Sequence, residues 1–351
     1  MKQTIRNPWL WVPTLYLAEA LPFSAVMLIS VIMFKDFGLT DSQITIYTGW
    51  LGLPWVIKPI WSTIVDNIKT KRWWITSMQF LMGIMLGLLA FTIPTDFWLQ
   101  GSLALFMLIA FSSATHDISA DGFYIIGLES KKQELFVGVR NTFYRIGMVL
   151  GQGGLVMFQG LLISGKSGLP AMQSNVAWSC IFGILAVLMI AIGIWHYVTL
   201  PKVENTVHDS FRIKEQAAEL WNTLKVFAGK PHLVTAILFI LLYRLPEGLL
   251  TKIVPLFLTR SNAEGGLALS NESFGLIYGT LGVIGLLLGG IIGGWAVSKW
   301  GLKRCLWPLV LCITLPDAVY VYLSYCMPDN NWLIGTCVCV EQLGYGLGFA
   351  A

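Results

Sequence analysis

Charge is scarce in this 351-residue sequence, in which only 12% of the residues are charged, whereas a soluble domain carries about 25%. Hydrophobic residues make up 56% of the chain and its mean hydropathy is +0.69. Two soluble cores of this total length would not hide so much apolar surface. The sequence therefore excludes an ordinary soluble enzyme and predicts a protein surrounded largely by lipid.

Cysteine and histidine also lack the spacings that are typical of metal and redox sites. The six cysteines form no Cys-x-x-Cys pair and no Cys/His metal spacing. No Ser/His/Asp or His/Glu signature of a nucleophilic or metal-dependent enzyme is present. The net charge of +4 is small and scattered, which argues against a nucleic-acid partner. We expect no enzyme activity, no cofactor and no metal.

One stretch imitates a phosphate-binding loop. Gly160-Leu-Leu-Ile-Ser-Gly165-Lys166-Ser167 satisfies the pattern G-x-x-x-x-G-K-S. That loop requires a preceding strand and a following helix, whereas here an apolar helix precedes it and Gly168-Leu-Pro170 follows. We therefore interpret the match as accidental.

Long apolar runs dominate the remainder of the sequence. A helix needs about 20 apolar residues to cross the hydrocarbon layer, and the runs do not alternate with the period of two that a barrel requires. The sequence predicts an all-α polytopic membrane protein with ten spans. These cover about Trp9–Phe34, Ile44–Val65, Trp73–Ile93, Phe97–Gly127, Leu135–Ile163, Val176–Leu200, His232–Leu258, Phe274–Val297, Leu306–Met327 and Trp332–Ala351.

Loop cations indicate the orientation of these spans. With a cytoplasmic N-terminus, most loop lysines and arginines fall on the cytoplasmic side, as the positive-inside rule requires. The longest polar stretch lies between spans six and seven. It predicts an N-terminal six-helix bundle (1–200), a cytoplasmic linker (201–230) and a C-terminal bundle (231–351).

Two loops look like copies of one motif. In each, a small residue is followed four positions later by a polar residue near a helix end, and then by a cluster of basic residues. The first contains Asp66, Lys71 and Arg72, and the second contains Ser298 where the first has the acid. The basic residues of the second copy are Lys299, Lys303 and Arg304. The pattern resembles the signature loop of the major facilitator superfamily, and it predicts a charged latch between helix ends. Positive-inside charge alone would explain the cations but not the shared spacing.

The repeat also allows positions in the second half of the sequence to be aligned with positions in the first half. Asp66 and Ser298 are 232 positions apart, so Ala351 corresponds to a position inside span four of the first half. We expect a second half that lacks the rest of helix ten and two further helices. A complete ten-helix protein is the alternative.

Ionisable residues inside the predicted spans are the candidates for function, since each costs about 3 kcal/mol in lipid. Asp117 and Asp121 share one face of span four, and His116 is adjacent. Carboxylates beside an imidazole suit a coupling proton. Alternatively, both acids pair with Arg140 or Arg145 as a fixed scaffold.

Other polar residues in the spans predict a substrate site. Arg140 and Arg145, with Gln152, suit an anionic or sugar-bearing solute, although they are equally suited to bind span four. Glu19 lies near a proline in span one, and Arg244 and Glu247 flank another in span seven. Such matched proline-interrupted helices point to a central site in repeat-built transporters. Glu341 would be the analogous acid of span ten.

Two lysines inside the spans have a simpler interpretation. We expect Lys58, which precedes Pro59, to extend its side chain to the cytoplasmic surface. Lys252 would reach the outer surface in the same way.

Several motifs together resemble the AmpG-type muropeptide permeases of the major facilitator superfamily. That family usually has a glutamine where this sequence has His116. The motifs are Ile109-Ala-Phe-Ser-Ser-Ala-Thr-His116-Asp117-Ile-Ser-Ala-Asp121, Tyr144-Arg145-Ile-Gly147-Met148, Tyr243-Arg244-Leu, Thr280-Leu-Gly282 and Glu341-Gln-Leu-Gly-Tyr-Gly346.

The resemblance implies two pseudo-symmetric helix bundles in a bacterial inner membrane that import anhydro-muropeptides with protons by alternating access. Glu19, His116, Asp117 and Asp121 would then serve proton coupling, and the arginines would bind the sugar-peptide substrate. A symporter or carrier of another solute, such as a disaccharide or an acyl-CoA type anion, is the alternative. A membrane-embedded enzyme and a receptor without transport are further alternatives.

Overall fold

The computed structural model describes residues 7–166, 168, 170–203, 221–222 and 225–349, and in these regions it contains helices but no strand. Three π-helical turns, Ala25–Ile29, Val149–Leu155 and Ile277–Gly282, interrupt longer helical rods. The α-helices are α1 Val12–Ser24, α2 Ser30–Asp36, α3 Asp41–Leu51, α4 Leu53–Ile57, α5 Pro59–Asn67, α6 Lys71–Thr92, α7 Trp98–Gly127, α8 Ser130–Met148, α9 Val156–Ser164, α10 Ser174–Thr199, α11 Leu233–Thr259, α12 Asn271–Leu276, α13 Val283–Trp300, α14 Leu302–Thr314, α15 Ala318–Cys326 and α16 Asn331–Phe349.

Predicted span two is not one helix. The structure breaks it into α3, α4 and α5, with the interruptions at Gly52 and at Lys58. Pro54 and Pro59 lack the backbone N–H that would continue the hydrogen-bond ladder, and Gly52 is a poor helix former. The segment is helical, as predicted, but it is not one continuous helix.

The count of ten spans is not confirmed. Within the described residues, seven helical stretches are long and apolar enough to cross a membrane. These are Pro8–Asp36, Lys71–Thr92, Trp98–Gly127, Gly138–Ser164, Ser174–Thr199, Asn271–Val297 and Lys303–Cys326. Predicted spans seven and ten correspond to α11 and α16, which are not among the seven.

The helices pack in two groups that follow the order of the chain. In the first half α6 packs against α7 and α10, while α1 packs against α7 and α8. Large side chains such as Trp178, Phe106 and Phe182 are fully buried between these helices. In the second half α16 packs against α13 and α14. Most of the predicted linker lies outside the described residues, so the domain boundaries stay a prediction.

The two halves meet at one end through backbone contacts. The turn Val149–Leu155 packs against the turn Ile277–Gly282, and α9 packs against α12. A Cβ added at Gly153 would lie 2.7 Å from the carbonyl oxygen of Gly279, and one added at Gly160 would lie 2.5 Å from the backbone nitrogen of Glu272. We call the contact between these two turns and between α9 and α12 the closed seam.

Candidate functional site

A cavity of about 550 Å³ lies between the two halves, away from the closed seam. Residues of α1, α7 and α8 form its polar wall, and α13 contributes its apolar wall. The polar wall consists of Tyr16, Glu19, Asp121, Arg140, Asn141, Thr142, Tyr144 and Arg145, and the apolar wall of Leu286, Leu287, Gly290 and Ile291. Volume and composition are typical of a small-molecule site.

One corner of the polar wall is a cluster around Asp121. Arg140 donates to the Asp121 carboxylate over 3.2 Å and Tyr16 donates to the same oxygen over 3.0 Å. The guanidinium also lies over the rings of Tyr16 and Tyr124, 5.1 and 5.3 Å from their centroids. Arg140 is therefore held in place by its own neighbours, which agrees with the scaffold interpretation for Asp121 alone.

The second aspartate on the same face of α7 has a different partner. Lys58 forms a salt bridge with Asp117 at the break between α4 and α5. Proline at position 59 ends the preceding short helix and places the Lys58 side chain against α7. The expectation that Lys58 extends to the surface overlooked this partner, which no local pattern in the sequence reveals.

Glu19 lies beside both aspartates and has no cationic partner among the described residues. It lines the cavity, and Asp117 is close enough for a side-chain interaction. One carboxylate oxygen of Glu19 is buried without a hydrogen-bond partner. A buried carboxylate that forms no salt bridge is costly in a low-dielectric site. Glu19 thus differs from Asp117 and Asp121, each of which forms a salt bridge with a cation.

His116 is placed apart from the cavity. It is fully buried between helices, and its Nε2 lies 2.9 Å from the amide nitrogen of Gln79. The Gln79 amide oxygen lies 3.0 Å from Nδ1 of His196, whose Nε2 lies 2.8 Å from the hydroxyl of Thr14. The four side chains form one buried polar chain through the first half. Adjacency in sequence to Asp117 did not place His116 beside the cavity, because neighbouring helix positions point about 100° apart.

The remaining predicted binding residues do not gather at one place. Arg145 lines the cavity. Gln152 is buried in the π-helical turn at the closed seam. Glu341 is 2% exposed and accepts a hydrogen bond of 2.8 Å from Tyr320, inside the second half.

Two predicted residues of span seven have side chains outside the described part of the chain. The backbone of Arg244 and Glu247 belongs to α11. Their roles stay predictions.

The first copy of the repeated loop forms the predicted charge contact. Lys71 pairs with Asp66, and Arg72 donates to the carbonyl oxygens of Leu200, over 3.2 Å, and Tyr197 at the end of α10. The loop therefore joins helix ends, with Arg72 acting as a C-terminal cap.

The second copy uses different contacts. Lys299 lies over the rings of Trp295 and Trp300, 4.8 and 5.5 Å from their centroids, and Lys303 and Arg304 are exposed. The Ser298 side chain lies outside the described residues. In the second copy, the Lys299 ammonium therefore contacts two tryptophan rings, whereas in the first copy the lysine contacts a carboxylate.

Polar side chains cross the closed seam, and no sequence motif pointed to them. Asn271 of α12 donates to Asp36 over 2.6 Å and to Gln159 over 2.9 Å. Trp178 and Gln159 donate to the same Asp36 oxygen, over 3.2 and 3.4 Å. Asp36 ends span one and carries no local motif, so only the packing of distant helices reveals this cluster.

Two ion pairs cross the seam beside this cluster. Arg260 donates to Asp41 over 2.8 Å, and Lys166 donates to Glu272 over 3.0 Å. Lys166 belongs to the apparent phosphate-loop motif, where Gly160 lies inside α9 and Gly165 ends that helix with φ of 71°. This helical context agrees with the interpretation that the match is accidental.

Comparison with known proteins identifies relatives of the whole arrangement. The family model described as Major Facilitator Superfamily matches residues 14–351. The chain is 25% identical over 307 residues to the anhydromuropeptide permease of Escherichia coli K12. That alignment covers 86% of this chain but 57% of the relative, so the chain spans little more than half of that protein's length. The resemblance to AmpG-type permeases is confirmed.

Solved structures show the same fold at lower identity. A bacterial homologue of the human lysosomal transporter Spinster, described as inward-facing and unoccupied, has a TM-score of 0.65 and 18% identity, over 99% of this chain and 75% of its own. A point mutant of the nucleoside transporter NupG has a TM-score of 0.69 and 16% identity, over 98% and 80%. At this identity the likeness concerns the fold alone.

Proposed function

Because the chain belongs to the Major Facilitator Superfamily, a superfamily of multi-pass membrane transporters, we propose that it imports anhydro-muropeptides or related sugar-peptides together with protons. The substrate class follows the name of its relative in Escherichia coli. The observation that carries the proposal is the cavity between the halves, where a wall of charged and hydroxyl side chains faces the apolar helix α13. A sugar-peptide presents hydroxyl, amide and carboxylate groups to such a polar wall.

We assign the anion contact to Arg145 and the coupling proton to Glu19. Arg140 and Lys58 already neutralise Asp121 and Asp117, so these aspartates are less suited to a proton that must come and go. Glu19 carries no such partner among the described side chains and faces the same cavity. Proton uptake at Glu19 would remove an uncompensated charge from the wall.

Orientation and span count belong to the same proposal. With the N-terminus in the cytoplasm, as the loop cations favour, the cavity opens inwards and the closed seam lies on the outer side. We propose ten spans, in which α11 and α16 are spans seven and ten and the broken rod α3–α5 is span two. Alternating access then consists of opening the seam while the cavity closes.

Another solute is a second candidate because of the apolar wall. Leu286, Leu287 and Ile291 offer a surface that suits an acyl group better than a sugar. An acyl-CoA type anion would place its acyl chain there, and a disaccharide would leave that wall without a partner.

Uptake into proteoliposomes tests both candidates. Labelled anhydro-muropeptide should accumulate when an inward proton gradient is imposed, and accumulation should stop when an ionophore collapses the gradient. Liposomes without the protein serve as the control for leakage. Uptake at the same rate with and without the proton gradient would overturn proton coupling. Uptake of a disaccharide or an acyl-CoA in place of the muropeptide would support the second candidate function.

A further inference from the structure

Lys252 is a cation inside a predicted span, and the proposed function leaves it without a role. It lies on α11, and its ammonium is 3.4 Å from the carbonyl oxygen of Met27. Met27 belongs to the π-helical turn Ala25–Ile29 of the first half. The side chain is partly buried, and its contact bridges the two halves of the chain. The expectation that it extends to the outer surface is therefore wrong.

The electrostatic surroundings of Lys252 set it apart from the other cations of the spans. Lys58 and Arg140 each pair with an aspartate, whereas no carboxylate lies within salt-bridge distance of Lys252 among the described side chains. A carbonyl oxygen at 3.4 Å is a long hydrogen bond and supplies no counter-charge. A charged side chain costs free energy inside the membrane, so a cation that is kept there is a candidate functional residue.

Glu247 is the acid of the same helix, and its side chain lies outside the described residues. Glu247 precedes Lys252 by five positions, which places it about 140° around α11. The neighbouring helix brings a backbone carbonyl rather than an acid to the ammonium. The contact is therefore weak enough to be exchanged for a stronger partner.

The position of Lys252 along the interface indicates what that partner is. Met27 follows Glu19 by eight residues, or about 12 Å along the helical rod, and precedes Asp36 of the closed seam by nine. Lys252 thus lies between the cavity and the seam, on the path that a solute takes when the seam opens. Opening the seam separates the two halves and frees the ammonium from Met27.

We propose that Lys252 binds a carboxylate group of the transported solute when the seam is open, and rests on the Met27 carbonyl when the seam is closed. This assignment depends on the proposed transport function. An ammonium on a flexible stem suits a point contact with a carboxylate that moves past it. Lys252 would then be the anion partner in the second half, opposite Arg145 in the first.

The first test compares two probes in proteoliposomes. These are labelled anhydro-muropeptide with free carboxylates and the same compound with its carboxylates amidated. Lys252→Met should raise the KM for the free acid about tenfold, corresponding to loss of one charge contact, and leave the KM for the amide unchanged. Lys252→Arg should restore the free-acid KM. Lys202→Met, which removes an exposed cation that follows α10, is the control and should change neither value.

The second test does not depend on the solute. Trinitrobenzenesulfonate, an anionic amine reagent, is applied to vesicles and the labelling of Lys252 is measured by peptide mass spectrometry. We expect the reagent to label Lys252, and we expect the free-acid probe to protect Lys252 from labelling. Equal KM changes for both probes, or no labelling of Lys252 from either side, would overturn the assignment. If neither probe is transported, the proposed function fails, and the labelling result still decides whether Lys252 reaches a solute path.

Discussion

Gly153 and Gly279 face each other across the two halves of the chain with no space for a side chain between them, since a Cβ at Gly153 would lie 2.7 Å from the Gly279 carbonyl oxygen. Both residues belong to π-helical turns, which recur at functional positions in helices. Close approach of two backbones lets the seam shut without interdigitated side chains that would hinder its opening.

Gly153→Ala should therefore shift the protein away from the state with the closed seam. Overpacking of this kind costs about 1–3 kcal/mol, which corresponds to roughly a 5- to 150-fold change in the ratio of states. Thiol labelling of an Asn141→Cys reporter, exposed in the cavity, should slow as the cavity closes. Gly154→Ala is the matched control, because its nearest neighbouring atom is 3.9 Å away. Equal labelling rates in the two variants would contradict the role of the seam.

Asn271→Ala should weaken the same seam by removing its polar contact. Of the three described side chains that donate to Oδ2 of Asp36, Asn271 alone comes from the second half, and a hydrogen bond to a charged group contributes about 1.5–3 kcal/mol. The Asn141→Cys reporter should again label more slowly. Trp178→Phe removes a bond to the same oxygen within one half, so it should lower the melting temperature and leave the labelling rate unchanged. A slower rate in both variants would indicate general destabilisation.

Glu19→Gln should abolish proton-driven accumulation while substrate exchange across the membrane continues. The amide keeps the shape of the protonated acid but carries no titratable proton, so the variant imitates one state of the cycle. Accumulation and exchange of labelled anhydro-muropeptide in proteoliposomes separate the two effects. Asp96→Asn, in an exposed loop, is the control. Accumulation that survives Glu19→Gln and disappears in Asp117→Asn would return the coupling role to the aspartate.

His116→Gln should leave uptake and its dependence on the proton gradient unchanged. His116 is buried, lies within hydrogen-bond distance of Gln79 and does not line the cavity. A glutamine at this position also offers both a hydrogen-bond donor and an acceptor. His116→Leu, by contrast, should lower the melting temperature, since the buried Gln79 amide would lose a partner at a cost of about 1–3 kcal/mol. Loss of coupling in His116→Gln with an unchanged melting temperature would place the imidazole on the proton path.

Several features of the site are readable in the sequence because they depend on local chemistry. Asp117 and Asp121 share a helix face by their spacing of four, and the Asp66–Lys71 contact follows from a short loop. The apolar runs indicate helices for the same reason. Motif similarity carried the assignment to the permease family, which the comparisons confirm.

Other features could not be predicted, since they depend on which distant helices pack together. The partners of the charges are one example: Lys58 and Asp117 are 59 positions apart, and Asp36 and Asn271 are 235 apart. The burial of His116 and the breaks in span two are further examples, in which backbone geometry overrode a pattern of residue types.

The sequence by itself determined that this chain lies in lipid as helices, because its shortage of charge and its long apolar runs admit no soluble core. It also determined which residues are costly there and so worth testing. Only the tertiary structure decided which of those charges are neutralised. Salt bridges and hydrogen bonds form only where packing brings two partners within a few ångströms of each other, so the different situations of Asp121, Glu19 and Lys252 arise from packing.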